Sequence, residues 1–267
     1  MKREPIEAAE LFIDRYFPNA SIVVLAGSVV QGGAAASSDL DLVVIDNTQS
    51  IPFRRTYYEY GWLIEAFVLT HSSYKDLFAE SYNSAIPSLQ RMFVLGRILR
   101  DDGSAADIIE EARMDLEQGP LPWNPEDMEK IRYEITECLD DLADSGSREE
   151  VLYIAGKLSL LVPTFVLRAA RQWIGDGKWL IRSLRSYDES LCDRWVAALD
   201  ELYLFGNKHQ LIGLTDQILA PYGGRLSEGY MLEGISAYWD EEPDEEPNEK
   251  SDEEPNEKPD EKSEKTG

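Results

Sequence analysis

The stretch Leu25–Val44, LAGSVVQGGAAASSDLDLVV, decides the reading of this chain. The apolar run SIVVLAG reads as a short strand closed by Gly27, residues 28–35 are small and helix-like, and SDLDLVVID reads as a second strand. Gly27 and Ser28 thus stand where a strand ends and a helix is expected. There a glycine lets backbone approach a ligand, and free N–H groups with the helix dipole favour a phosphate. Eleven residues after Ser28 comes Asp39-Leu40-Asp41. Residues i and i+2 of a strand share a face, so the two carboxylates stand side by side. Two adjacent anions on a strand that is otherwise core repel each other unless a divalent cation compensates. An all-oxygen ligand set suits Mg²⁺ or Mn²⁺.

Working outward, FRRTYYEYGWLIEAFVLT (53–70) reads as a hairpin with Gly61 at its turn. In WLIEAFVL, Glu65 shares a face with Leu63, Phe67 and Leu69. A carboxylate among apolar residues is costly unless it meets a metal or a cation. If this strand lies beside the Asp39 strand, Glu65 completes a three-carboxylate cluster able to hold two metal ions ~3.5–4 Å apart.

The remaining periodicity gives helices over 5–16, from Ser72 or Ser73 to about Ser81, over Ser88–Leu95 and over Ser104–Gln118, with a short strand in GRILRDDG. GPLPWNP then breaks the pattern. Beyond it the helical segments are 125–144, 148–174, 178–186, 188–205, 208–221 and 227–238. The expected fold class is α+β. Residues 1–118 form a small mixed-sheet domain, 119–239 an all-helical bundle, and 240–267 a disordered acidic tail. That tail contains DEEPNEKS followed by DEEPNEKP, has no apolar residue to bury, and carries a net charge of −10.

Composition narrows the classes. The chain has 267 residues, 43% of them hydrophobic, and a net charge of −25. With the tail set aside the body is still acidic, which disfavours nucleic acid as a large partner. No apolar run approaches the ~18 residues of a membrane span, and the N-terminus lacks the pattern of a secretory signal. Cys138 and Cys192 each sit inside a helical pattern and read as reduced, buried thiols, which points to the cytoplasm. With two histidines and no cysteine cluster, a zinc site has no ligand set. GSVVQGG fits neither the dinucleotide-binding glycine pattern nor a P-loop.

Gly27-Ser28, Asp39-Leu40-Asp41 and a later strand carboxylate resemble the DNA polymerase beta nucleotidyltransferase superfamily. The helical region that follows makes the chain similar to the small bacterial members, which include the aminoglycoside nucleotidyltransferases. The motif match covers roughly residues 20–70. The resemblance implies transfer of a nucleoside monophosphate from an NTP, typically ATP, to an acceptor, with release of pyrophosphate. By position it implies that Gly27 and Ser28 hold the triphosphate and that Ser38 contacts phosphate. Asp39 and Asp41 would bind both metals, and Glu65 would hold the acceptor-side metal or help deprotonate the acceptor. GGAAAS between Gly32 and Ser37 is poorer in charge than in many relatives.

The second half carries weaker signals. Lys178 follows the Gly175–Gly177 break and starts a helix, from which a lysine suits phosphate as a point charge. Glu137, Asp140, Asp141 and Asp144 share a helix face, so Glu137 or Asp141 rivals Glu65 as general base. Trp173, Trp179 and Trp195 read as core. The expected acceptor is a small molecule, and an acidic body suits an aminoglycoside-like polycation. The rival expectations are nucleotidylylation of a partner protein, as in toxin–antitoxin pairs, and a catalytically silent nucleotide-binding module.

Overall fold

The computed structural model describes residues 2–32 and 38–231. The chain divides into a compact unit, Met1–Tyr230, and a second unit, Met231–Gly267. The expected acidic tail lies outside the described residues.

The fold is α+β. Five strands, β1 (Ile22–Ala26), β2 (Leu40–Ile45), β3 (Phe53–Glu59), β4 (Trp62–Leu69) and β5 (Arg97–Arg100), form one mixed sheet of order β3-β4-β2-β1-β5. β2 and β4 run parallel, and the other neighbours are antiparallel. β1 and β2 are apolar without alternation because both sheet faces are covered. On one face, helix α1 (Pro5–Tyr16) lays Ala8, Ala9, Phe12 and Ile13 against Val23, Leu25, Leu40, Leu42 and Val44. On the other, Ile22, Val24, Val43 and Ile45 pack with α2 (Ser73–Ser84), α3 (Ser88–Leu95) and α4 (Ala105–Gln118) through Phe78, Phe93 and Ile108.

The hairpin closes as its sequence requires. Tyr60 and Gly61 both take positive φ, 54° and 83°, the geometry of a two-residue turn that follows strand twist. A side chain at Gly61 would run into the Lys2 backbone, because the N-terminal segment crosses this turn. Arg3 N–H donates to Tyr60 O (3.1 Å), and Trp62 Nε1 donates to Arg3 O (2.8 Å).

Helices α5 (Pro125–Asp144), α6 (Arg148–Ala169), α7 (Lys178–Tyr187), α8 (Glu189–Phe205) and α9 (His209–Leu219) enclose a core of their own. Trp195 is 1% exposed at its centre, and Cys138 and Cys192 are buried in it as free thiols. By length and composition alone α6 could cross a membrane, contrary to the reading that no apolar run is long enough; its Val151, Ala155, Leu158, Val162 and Phe165 are core residues. α6 also ends earlier than its apolar pattern, at Ala169, where Arg171 turns to φ 54° and sends the chain back onto the sheet-bearing half. There Ile174 N–H donates to Ala85 O (2.9 Å) and Trp173 Nε1 to Leu116 O (2.9 Å). This returning segment sets where Lys178 and Trp179 begin the next helix.

Two expected helices differ. Residues 28–32 are turns, because Gly27 and Gly32 take φ 80° and 76°, values no continuing helix permits, and residues 33–37 lie outside the description. Residues 227–231 are turn and irregular chain, so the expected 227–238 helix does not begin there, and its remainder lies outside the described residues.

Candidate active site

Register builds the site. In the parallel β2–β4 pair Asp41 is the partner of Glu65, and across the β1–β2 pair it faces Ala26. Neighbouring strands lie ~4.8 Å apart, so register partners present their side chains together on one face. Asp39 stands one residue before β2. Oxygens of Asp39, Asp41 and Glu65 all come within 4.8 Å of one another, and all three residues are half-buried.

The cluster is electrostatically unfavourable as it stands. Burial, then the charges of Asp39 and Glu65, push the Asp41 carboxyl up from its ordinary 3.8 to about 6, while the cations Arg54 and Lys178 oppose the rise. Asp46, at the far end of β2, shows the contrast. It is 1% exposed, yet Thr48 N–H (2.9 Å), Thr48 Oγ1 (2.6 Å) and Gln49 Nε2 (3.0 Å) all donate to its oxygens. Among the described residues no donor hydrogen-bonds to the side-chain carboxylate of Asp39 or Asp41. A structural aspartate beside this strand has its donors provided, and the Asp39 and Asp41 carboxylates do not. Three oxygen ligands that repel one another in partial burial fit a hard divalent cation.

Gly27 follows β1 and abuts the cluster. A Cβ there would collide with the Asp41 carboxylate, so the glycine is needed for Asp41 as well as for its φ of 80°. The sequence reading credits this site with a helix dipole; residues 28–32 are turns and supply none, and Val30 N–H is taken up by Gly27 O (3.3 Å). Ser28 Oγ and Ser38 Oγ are hydrogen-bonded at 3.0 Å, which brings both serines to the same end of the sheet as Asp39.

Arg54 is missed by the sequence reading. It sits on β3 and pairs with Glu65 (2.5 Å) while its guanidinium lies 4.9 Å over the Phe67 ring. The cation that Glu65 was expected to need is therefore partly supplied by the protein. Nothing in FRRTYY marks the first arginine over the second. The choice follows from β3–β4 register, which sets Arg54 opposite Phe67.

A cavity of ≈ 240 Å³ opens beside the cluster, lined by Gly27, Asp41, Phe67, Arg91, Asp176 and Trp179 among others. Lys178 begins α7, where a cation opposes the helix dipole, and its field reaches Asp41. Trp173 and Trp195 are core as expected, but Trp179 is half-buried and lines this cavity. Glu137, Asp140, Asp141 and Asp144 are exposed on α5, and none lines it. Tyr133 Oη donates to Glu137 (2.6 Å), and Arg225 pairs with Asp140 (2.6 Å).

No family model matches this chain. No curated protein matches it either. Among solved structures it is similar to a nucleotidyltransferase-like protein from Exiguobacterium sibiricum, with a TM-score of 0.42 and 11% identity over 82% of this chain and 75% of that one. A likeness of that size does not carry an activity across.

Proposed function

We propose that this protein is a metal-dependent nucleotidyltransferase that moves a nucleoside monophosphate, AMP from ATP in the simplest case, onto a hydroxyl of a small-molecule acceptor. The observation that carries the reading is the Asp39–Asp41–Glu65 cluster, whose oxygens lie within 4.8 Å of one another beside the Gly27–Ser28 turn. Mg²⁺ or Mn²⁺ bound by these three carboxylates would supply charge neutralisation of the triphosphate and a lowered pKa for the acceptor hydroxyl.

In this reading the acceptor oxygen attacks the α-phosphorus, the bond to the bridging α–β oxygen breaks, and pyrophosphate leaves. Glu65 takes the acceptor proton, since it is the member of the cluster furthest from Gly27 in strand order and the α5 carboxylates Glu137 and Asp141 lie outside the cavity. The Gly27–Ser28 turn and the hydroxyls of Ser28 and Ser38 orient the phosphates, and Lys178 adds a point charge. The two buried thiols suit a reducing compartment, so a cytoplasmic location belongs to the same proposal.

Titration calorimetry of a non-hydrolysable ATP analogue, with and without Mg²⁺, tests it on the wild type and on Asp39→Asn/Asp41→Asn. Magnesium-dependent binding that the double variant loses is the expected result. A wild type that binds no nucleoside triphosphate with Mg²⁺ or Mn²⁺ would overturn the reading.

A further inference from the structure

Arg91 is half-buried on α3 and lines two adjoining cavities. One is the cavity that Asp41 lines; the other, of ≈ 280 Å³, is lined by Trp173, Trp179, Arg182, Ser183 and Tyr187 among others. A guanidinium has five N–H donors in a planar fork. Arg91 uses two of its nitrogens in long bonds, both to neutral acceptors: Nη1 to Ile174 O (3.3 Å) and Nη2 to Ser183 Oγ (3.4 Å). Burial alone lowers its pKa, with no carboxylate's field opposing it. Among the described residues it forms no ion pair, in a chain with 51 acidic and 26 basic residues. Arg15, Arg54, Arg100 and Arg225 all pair with carboxylates. Arg182, one helical turn beyond Lys178, also forms no ion pair among the described residues, and its guanidinium lies 4.7 Å over the Trp179 ring.

A cation drawn half out of water, with donors to spare and no carboxylate paired with it among the described residues, is a poor structural element and a good receptor. We propose that Arg91 and Arg182, which together with Trp179 line the second cavity, form an oxyanion subsite there, which takes a phosphate or carboxylate group of a bound ligand. The planar fork of Arg91 suits either group bidentately, and Trp179, lining both cavities, offers a flat apolar wall beside it. The oxyanion has two possible sources, the polyphosphate of the nucleotide or an acidic group on the acceptor. That choice, and only that choice, rests on the nucleotidyl-transfer reading.

The test is calorimetric titration of the full chain with sodium tripolyphosphate in EDTA, for the wild type, Arg91→Gln, Arg91→Lys and Arg182→Gln. Saturable binding is expected in the wild type. Loss of a charge-assisted contact makes it at least about tenfold weaker in Arg91→Gln and about threefold weaker in Arg182→Gln. Arg91→Lys keeps the charge without the fork and falls between wild type and Arg91→Gln. Arg182 is exposed, so its variant keeps the assay decisive if Arg91→Gln does not fold. No saturable binding to the wild type, or undiminished binding to the folded variants, would overturn the subsite. A purely structural role for Arg91 would lower the melting temperature and leave the anion affinity unchanged. Repeating the titration with a saturating Mn²⁺–ATP analogue separates the sources. Competition assigns the subsite to the nucleotide's phosphates; simultaneous binding assigns it to an anionic acceptor and removes a polycation from consideration. Mn²⁺ binding, read separately by electron paramagnetic resonance, reports on the carboxylate cluster, so loss of one signal with retention of the other shows which proposal has failed.

Discussion

Replacing Asp41 by Asn should make the metal-free protein more stable while abolishing metal binding. In the folded chain the Asp41 carboxyl is raised from 3.8 to about 6 by burial and by Asp39 and Glu65. A raised carboxyl opposes folding: the native state holds the proton more tightly than the unfolded chain between those two values, so stability falls as pH rises through that window. Above it the full cost is present, at most about 3 kcal/mol at 1.36 kcal/mol per pH unit. Asp41 is partly exposed, and solvent screening brings this to about 1–1.5 kcal/mol. Asparagine removes the charge and can donate to the neighbouring carboxylates. For a unit of this size the gain corresponds to a melting temperature about 2–6 °C higher at pH 7.5. Thermal melts in EDTA from pH 4 to 8 would show the difference largest above pH 7, shrinking as pH falls through about 6 and nearly gone close to 3.8. Adding Mn²⁺ should then raise the melting temperature of the wild type only, and so narrow or reverse the order. A variant no more stable than wild type at pH 7.5, or an advantage that does not change with pH, would refute the account of the cluster as a set of charges that Arg54 and Lys178 only partly offset.

Proton competition at Asp41 also makes Mn²⁺ affinity of the wild type fall by about tenfold between pH 7 and pH 5, measurable by electron paramagnetic resonance; a flat profile would contradict it. Gly27→Ala combines a strained φ of 80° with a collision against the Asp41 carboxylate, so it should cost about 1–3 kcal/mol of stability and weaken Mn²⁺ binding, both read from melts with and without the metal. Arg54→Gln frees Glu65 from its ion pair and removes a positive field from Asp41, and calorimetry should find Mn²⁺ bound about two- to fivefold more tightly. Trp195→Ala empties the centre of the helical core and should destabilise by about 3–5 kcal/mol in chemical denaturation, while Mn²⁺ affinity of the folded fraction stays at the wild-type value.

Local chemistry was enough to read the apolar runs Ile22–Ala26 and Leu40–Ile45 as buried strands, the hairpin around Gly61, and most helix limits, which were marked by prolines, glycines and serines. It also singled out Asp39, Asp41 and Glu65, because charge inside an apolar strand is expensive wherever that strand ends up. What it left open was whether the strands meet. That depends on β4 inserting between β3 and β2 in parallel register, so that Asp41 and Glu65 become partners, and a one-residue slip would have sent one of them to the opposite face. The turn at 28–32 could not be told from a helix by small residues alone, since the difference lies in two glycine φ angles. Arg54, Arg91 and Trp179 carry no motif; they matter through what lies next to them. Arg54 meets Glu65 through β3–β4 register, while Arg91 and Trp179 share a cavity because residues 170–177 fold back onto the sheet-bearing half. Strand and helix preferences act over a few residues and are written in the chain. The pairing of a strand with a distant strand, or the placing of an arginine and a tryptophan in one cavity, is decided by long-range packing, which only the folded molecule contains.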